Sequence, residues 1–395
     1  MPDAITVSGP PKVRPAVAAL PASKVREIAN AGFGRSDILR FWFGEDQAPT
    51  PDHIKSAAIA AIGADETYYT HNNGRAALRT AIGGYLTDLH GAPFPMARVC
   101  VTSSGVSALN IAMQALLEPG DRVVVVTPVW PNVTAIPAVL GAKVVRAPLR
   151  AHGGRWRLDL DQLLGAITPG TRLVIINSPG NPTGWVLGDD ERLPILQRCR
   201  QVGAWLLADD VYERLIFDDG RRSAPSFLAI ADPEDRVIGA NSFSKAWRMT
   251  GWRLGWLVTP AELESDIGKL IEFNTSCAPD FIQAAGIAAI HEGEPHVAAQ
   301  RLQLKASADR LIDQLSALEG VEAPRPDGAM YAFFRVAGEE DSVGLARRLV
   351  AEAGLGLAPG AAFGPEGEGW LRWCVAAAPD LIDAGVQRLA TWLGR

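Results

Sequence analysis

The sequence predicts an α/β protein: a large domain on a mainly parallel seven-stranded sheet, joined to a smaller α+β domain. Three observations carry that prediction. Seven short apolar runs recur from residue 99 onward, and helix-length patterns lie between several of them. At 395 residues the chain is long enough for two domains with a large buried core. After about Ala284 the style changes to a long helical stretch followed by isolated strands, which marks a second unit.

The elements follow in order. Pro10, Pro11 and Pro15 make the beginning an extended arm, because proline removes a backbone donor and fixes its own φ. Lys24 to Ala31 has helical character. Strands are expected at Val99 to Thr102, Val123 to Thr127, Lys143 to Ala147, Leu173 to Asn177, Trp205 to Ala208, Val237 to Gly239 and Gly255 to Val258. Their apolar runs do not alternate with polar residues, as strands covered on both faces require. Helices are expected at Ser107 to Leu117 and Glu191 to Gln201, with Pro119-Gly120-Asp121 as a turn. A long helix is expected from Ala284 through Leu318, then a turn at Pro326-Asp327-Gly328 and a strand over Ala329 to Val336. A helix over Ser342 to Ala353 leads into Gly-rich loops and a last strand around Trp370 to Val375. Residues 1–44 are assigned to an arm and part of the small domain, 45–284 to the large domain and 285–395 to the small domain.

Composition narrows the function. The chain is 48% hydrophobic and 21% charged, an ordinary globular balance, and its net charge of -6 gives no reason to expect nucleic acid or an anionic membrane. Arg221-Arg222 and Arg347-Arg348 are isolated basic pairs, read as solvated surface. Four cysteines without a CxxC form neither a disulfide framework nor a metal site. Val123 to Ala142 is twenty residues without a charge, but Pro128, Pro131, Pro137 and Asn132 interrupt it, so a strand, a loop and a helix start are expected. Met1-Pro2-Asp3-Ala4 does not open a secretory signal, and a cytoplasmic protein is expected.

Chemistry collects at predicted strand ends, where parallel sheets bind ligands. In Asn241-Ser242-Phe243-Ser244-Lys245 and the following stretch to Arg253, one lysine lies between serines and an arginine. Lys245 can bond covalently to an aldehyde when burial or a cationic neighbour keeps it deprotonated. Ser242 and Arg253 can turn toward a phosphate, to which arginine offers a two-pronged fork. Ser103-Ser104-Gly105-Val106-Ser107 runs into a helix whose first N–H groups suit the same anion, although serine turns also cap helices that bind nothing. Asn181-Pro182-Thr183-Gly184 is on its own an ordinary turn, and Asp209-Asp210-Val211-Tyr212 places a carboxylate where it either caps a helix or faces a cation.

Taken in this order, the groups resemble the fold type I, class I/II aminotransferases that use pyridoxal 5′-phosphate, near their bacterial aspartate-type branch. The likeness runs from about Lys24 to the C-terminus. It implies that Lys245 holds the cofactor covalently and shuttles the proton, while Asp209 pairs with the pyridine nitrogen. Tyr212 and Asn181 would meet the ring hydroxyl oxygen, and Ser104, Gly105, Val106, Ser242 and Arg253 the phosphate. Trp130 resembles the aromatic that stacks on the ring, with a core tryptophan as the alternative. Tyr69 resembles the tyrosine that reaches the phosphate across a homodimer interface, and Tyr68 is its alternative if the register differs by one. Arg372 takes the place of the arginine that grips the substrate α-carboxylate, and Gly44 the place of a glycine whose backbone meets it. The partners implied are an amino acid, a 2-oxo acid and a second copy of the chain.

Val106 departs from the pattern. It stands where the aspartate-type branch carries a lysine for a distal carboxylate, so a neutral, polar or aromatic side chain is expected. Trp42, Phe43, Trp130, His71, Asn72 and Asn73 are then expected at the pocket mouth. Elimination, decarboxylation or ring closure on the same motifs is the alternative to amino transfer. An effector-binding regulator is a further alternative, disfavoured because the first forty residues are too short and Pro-rich for a DNA-binding domain.

Overall fold

The computed structural model describes residues 12–394. Its centre is a seven-stranded sheet of β1 (Val99–Thr102), β2 (Arg122–Thr127), β3 (Lys143–Pro148), β4 (Thr171–Asn177), β5 (Trp205–Asp209), β6 (Val237–Ser242) and β7 (Gly255–Val258). Their order is β1-β7-β6-β5-β4-β2-β3, with β7 antiparallel to both of its neighbours and the pairs from β6 to β3 parallel. Both faces are covered. Val124 and Val126 enter one apolar cluster and Val123 and Val125 the other, and Val174 with Ile176 divide likewise from Leu173 with Ile175. That two-sided burial is why the runs show no polar alternation.

The direction of β7 positions the site. Asn177 pairs with Asp209 and Asp209 with Ala240, so β4, β5 and β6 end side by side. Because β7 runs the other way, its first residue Gly255 pairs with Ser242 and Thr102, the last residues of β6 and β1. Arg253, which leads into β7, therefore stands at the same edge as the residues that leave the parallel strands. Gly255 has to be small: a Cβ there would lie 2.6 Å from the backbone nitrogen of Gly105.

A second sheet has the order Val321–Glu322, Tyr331–Val336, Trp370–Cys374, Ala358–Pro359, and pairs Phe333 with Arg372. Leu39–Arg40 pairs in parallel with Leu355–Gly356, tying the N-terminal segment to the C-terminal part.

Three expectations are corrected. The long helix is two, Asp280–Glu292 and Glu294–Ser316. They break at Gly293, where a side chain would run into the Ala289 carbonyl, and Pro295 sits in the first turn of the second. The helix over Ser342 to Ala353 is α-helical only through Arg348, and Leu349–Ala353 is a π turn closed by Gly354 at φ 60°. Within the arm, Pro15–Ala18 forms one helical turn, and Pro10 and Pro11 lie outside the described residues. Among the described residues no helix is long and apolar enough to cross a membrane.

Candidate active site

A cavity of about 480 Å³ opens at the carboxyl ends of the parallel strands, and Lys245, Asp209, Tyr212, Asn181, Ser242, Arg253, Arg372, Gly105, Val106, Trp130 and Gly44 all line it. One site thus gathers residues from both sheets and from the segment after Leu39–Arg40.

Lys245 follows β6. Its Nζ donates to the Gly44 carbonyl at 2.6 Å. Burial pushes its pKa down to about 8, with Arg372 and Arg253 acting the same way against Cys374 and Glu45. A neutral amine is the form that attacks an aldehyde. Covalent capture of added pyridoxal phosphate by cofactor-free protein should therefore accelerate with pH up to about 8 and level off above it. Stopped-flow absorbance measures this, and a rate still climbing steeply past pH 9 or so would show an ordinary solvated lysine.

Asp209 ends β5 fully enclosed, and burial raises its pKa to about 7, against the opposing pull of the Val211 N–H and Lys245. Among the described residues it has no salt-bridge partner. Such a carboxylate suits a cationic ring nitrogen placed in the cavity. Asn177 braces it from behind, donating through Nδ2 to the Asp209 carbonyl at 3.1 Å and accepting the Asn181 N–H at 2.9 Å.

The anion cradle has three parts. The helix Gly105–Leu116 begins at the cavity, which Gly105 and Val106 line, and a Cβ on Gly105 would crowd that of Ser242 at 2.9 Å. Ser242 Oγ bonds Ser244 Oγ at 2.9 Å, and Arg253 Nη1 reaches Ser244 Oγ at 3.5 Å and the Thr250 carbonyl at 2.6 Å. Arg253 holds a left-handed backbone, φ 56°, rarely taken by a side chain of its size. Ser104 does not line the cavity: its hydroxyl accepts from the Ser107 N–H at 3.0 Å and caps the helix.

Arg372 is buried with no carboxylate partner among the described residues. Nη1 donates to Asn181 Oδ1 at 3.0 Å, Nη2 donates to the Trp42 carbonyl, and Nε has no partner. The rings of Tyr331 and Phe363 lie 4.5 and 4.9 Å from its guanidinium carbon. A buried cation with an unused donor calls for an anion.

These features match the cofactor that the sequence suggested: an amine for its aldehyde, a carboxylate for its ring nitrogen and a cradle for its phosphate. The family described as aminotransferase class I and II matches residues 41–389. The chain belongs to that family. It is a pyridoxal-phosphate-dependent aminotransferase of fold type I. An aspartate aminotransferase of Pyrococcus horikoshii is 31% identical over 370 residues, 93% of each chain. An arginine–pyruvate transaminase of Pseudomonas aeruginosa is 32% identical, covering 90% of this chain and 89% of the relative. The solved structure of an aromatic aminotransferase from Pyrococcus horikoshii superposes with a TM-score of 0.85 at 30% identity, over 93% of this chain and 98% of that one.

Some expected residues of the aminotransferase lie elsewhere. Tyr69 is 88% exposed and outside this chain's cavity, as is Tyr68 at 78%. Of the expected mouth residues, Phe43 and Trp130 line the cavity while Trp42 is buried against Gly32 and Gly356. Asn72 and Asn73 spend their amides on the Gly268 and Glu264 carbonyls, and His71 Nδ1 accepts the Asn73 N–H. The mouth has Ser23, Val25 and Arg26 instead, from the start of the helix Lys24–Ala31 and its cap. Sequence reasoning also passed over Ser244, Asn177, Phe363 and Tyr331. Two of them carried a signal: Ser244 stands next to Lys245, and Asn177 ends an expected strand.

Proposed function

We propose that this aminotransferase moves an amino group between an L-amino acid and a 2-oxo acid in two alternating half-reactions. The observation that carries the reading is the convergence of Lys245, Asp209, Arg253 and Arg372 on one cavity. Bound there, pyridoxal phosphate supplies an electron sink for the bond to be broken at Cα. Lys245 anchors it and then, as a free amine, moves the Cα proton. Arg372 orients the substrate by its carboxylate, and the Gly44 N–H is available to the same group. Tyr212 and Asn181 hold the ring hydroxyl oxygen, and Trp130 covers the ring face.

The substrate side chain is proposed to be neutral or aromatic rather than strictly dicarboxylic. Val106, Leu109, Trp130 and Phe43 give the cavity apolar walls, in support of that reading. One observation favours a second reading. Arg26 makes no salt bridge among the described residues and lies over the Phe43 ring at 5.4 Å, a cation at the mouth in place of the one Val106 lacks. A homodimer is proposed, with Tyr69 of the partner subunit completing the phosphate site. Exposed Tyr69, Ile59, Ile62 and Phe273 support a second copy as the cover. The cytoplasm is the proposed setting, supported by the buried free thiols of Cys100, Cys199 and Cys374.

The test is a visible spectrum before and after adding a panel of amino acids, with mass spectrometry of the released cofactor. Conversion to the amine form, fastest with neutral or aromatic donors, is the expected result. Ammonia release without that form would make the chain a lyase. Arg26→Ala should change aromatic turnover by less than about threefold. Aspartate as best donor, lost about tenfold or more in Arg26→Ala, would move the assignment to the second reading.

A further inference from the structure

The hydroxyls of Tyr212 and Tyr331 lie 2.6 Å apart in a fully buried pair, their rings edge to face at 80°. Tyr331 meets both Arg372 and Gly44. Its ring supports the Arg372 guanidinium at 4.5 Å, and its hydroxyl occupies the space a side chain on Gly44 would need. Each hydroxyl owns one proton. If Tyr212 gives its proton to a ring oxygen in the cavity, as the proposed function has it, it cannot also give one to Tyr331. Tyr331 must then be the donor.

We propose that Tyr331 is a positioning residue: it donates its hydroxyl proton to the Tyr212 oxygen, turns the Tyr212 proton toward the cofactor's ring oxygen, and carries Arg372 on its ring. The inference rests on the assignment of Tyr212 to that ring oxygen. A donor that itself accepts a hydrogen bond becomes a stronger donor. Tyr331 would thereby favour the unprotonated form of the ring oxygen. Lys245 Nζ lies 5.9 Å from the centre of the Tyr212 ring, and the Arg372 charge is felt by both phenols. The same ring, lacking only its hydroxyl, would still support Arg372.

The experiment is a pH titration of the visible cofactor band in wild type, Tyr331→Phe, Tyr212→Phe and the double variant, each loaded with pyridoxal phosphate. The midpoint should rise by roughly half a unit to one unit in Tyr331→Phe. It should rise further in Tyr212→Phe, and the double variant should match Tyr212→Phe alone, since Tyr331 acts through Tyr212. The amino acid KM should change by less than about threefold in Tyr331→Phe and rise about tenfold or more in Tyr331→Leu, which removes the platform under Arg372. A wild-type midpoint kept in Tyr331→Phe, or shifts that simply add in the double variant, would overturn the proposal. A wild type with no visible band would instead remove the underlying assignment of Lys245, a failure separate from that of Tyr331.

Discussion

Lys245→Ala protein, mixed with pyridoxal phosphate, is expected to bind it without the covalent visible band and to lose turnover by about 10⁴-fold or more. The proposed function gives the amine two tasks at one place, and none of the other residues lining the cavity is suited to either. Arg253 and Arg372 offer hydrogen-bond donors and no acceptor, so neither can serve as the base. Asp209 is, in the proposed arrangement, committed to the ring nitrogen. Tyr212 is buried and its pKa is raised well above the usual 10, so it is a poor base at neutral pH. The phosphate cradle is untouched by the substitution, so cofactor affinity measured by equilibrium dialysis should survive in large part. Added methylamine should restore a fraction of the rate if proton transfer is what the lysine supplied. An alanine variant that keeps both band and turnover would show that another amine is the anchor.

Arg372→Lys is the second large effect. Lysine keeps the charge but loses the fork, and its single ammonium cannot hold Asn181, the Trp42 carbonyl and a carboxylate together. Two charge-assisted hydrogen bonds contribute about 3 kcal/mol or more, so kcat/KM should fall by about 100-fold or more. The visible band of the loaded protein should remain, because Arg372 does not belong to the phosphate cradle. Amines without a carboxylate should react equally well with both proteins. Equal loss for such amines would mean that Arg372 supports the fold rather than the substrate.

The parts legible in sequence were those whose cause is local. An apolar run without alternation reports burial on both faces, and all seven strands of the large sheet lie where such runs stand. Lys245, Asp209 and Asn181 were legible because each sits just past or at such a run's end, where a parallel sheet collects its ligands. Two-residue strands such as Leu39–Arg40 have no period to detect, and they exist only because Leu355–Gly356 lies alongside. Tyr331 was hidden for a related reason. Its partner Tyr212 lies 119 residues away, and a tyrosine in an apolar strand looks like core until the second sheet is docked on the first. Arg26 is similar: on a helix it reads as solvent-facing, and only the fold turns it to the cavity mouth. Ser104 erred in the other direction, since capping a helix and binding at its N-terminus ask for the same residue type.

The tight fit between Gly44 and the Tyr331 hydroxyl has a bearing on descent. The two positions lie in distant parts of the gene, yet they cannot vary independently. A lineage that first gains a side chain at position 44 meets the phenol and passes through a damaged intermediate. One that first trades the phenol for a smaller residue gives up the platform under Arg372 and is weakened, but it opens room, and position 44 is then free to change. Single-step evolution at this corner therefore has a direction. Laboratory selections for new substrates should recover changes at 331 before, or together with, any at 44, and not the reverse.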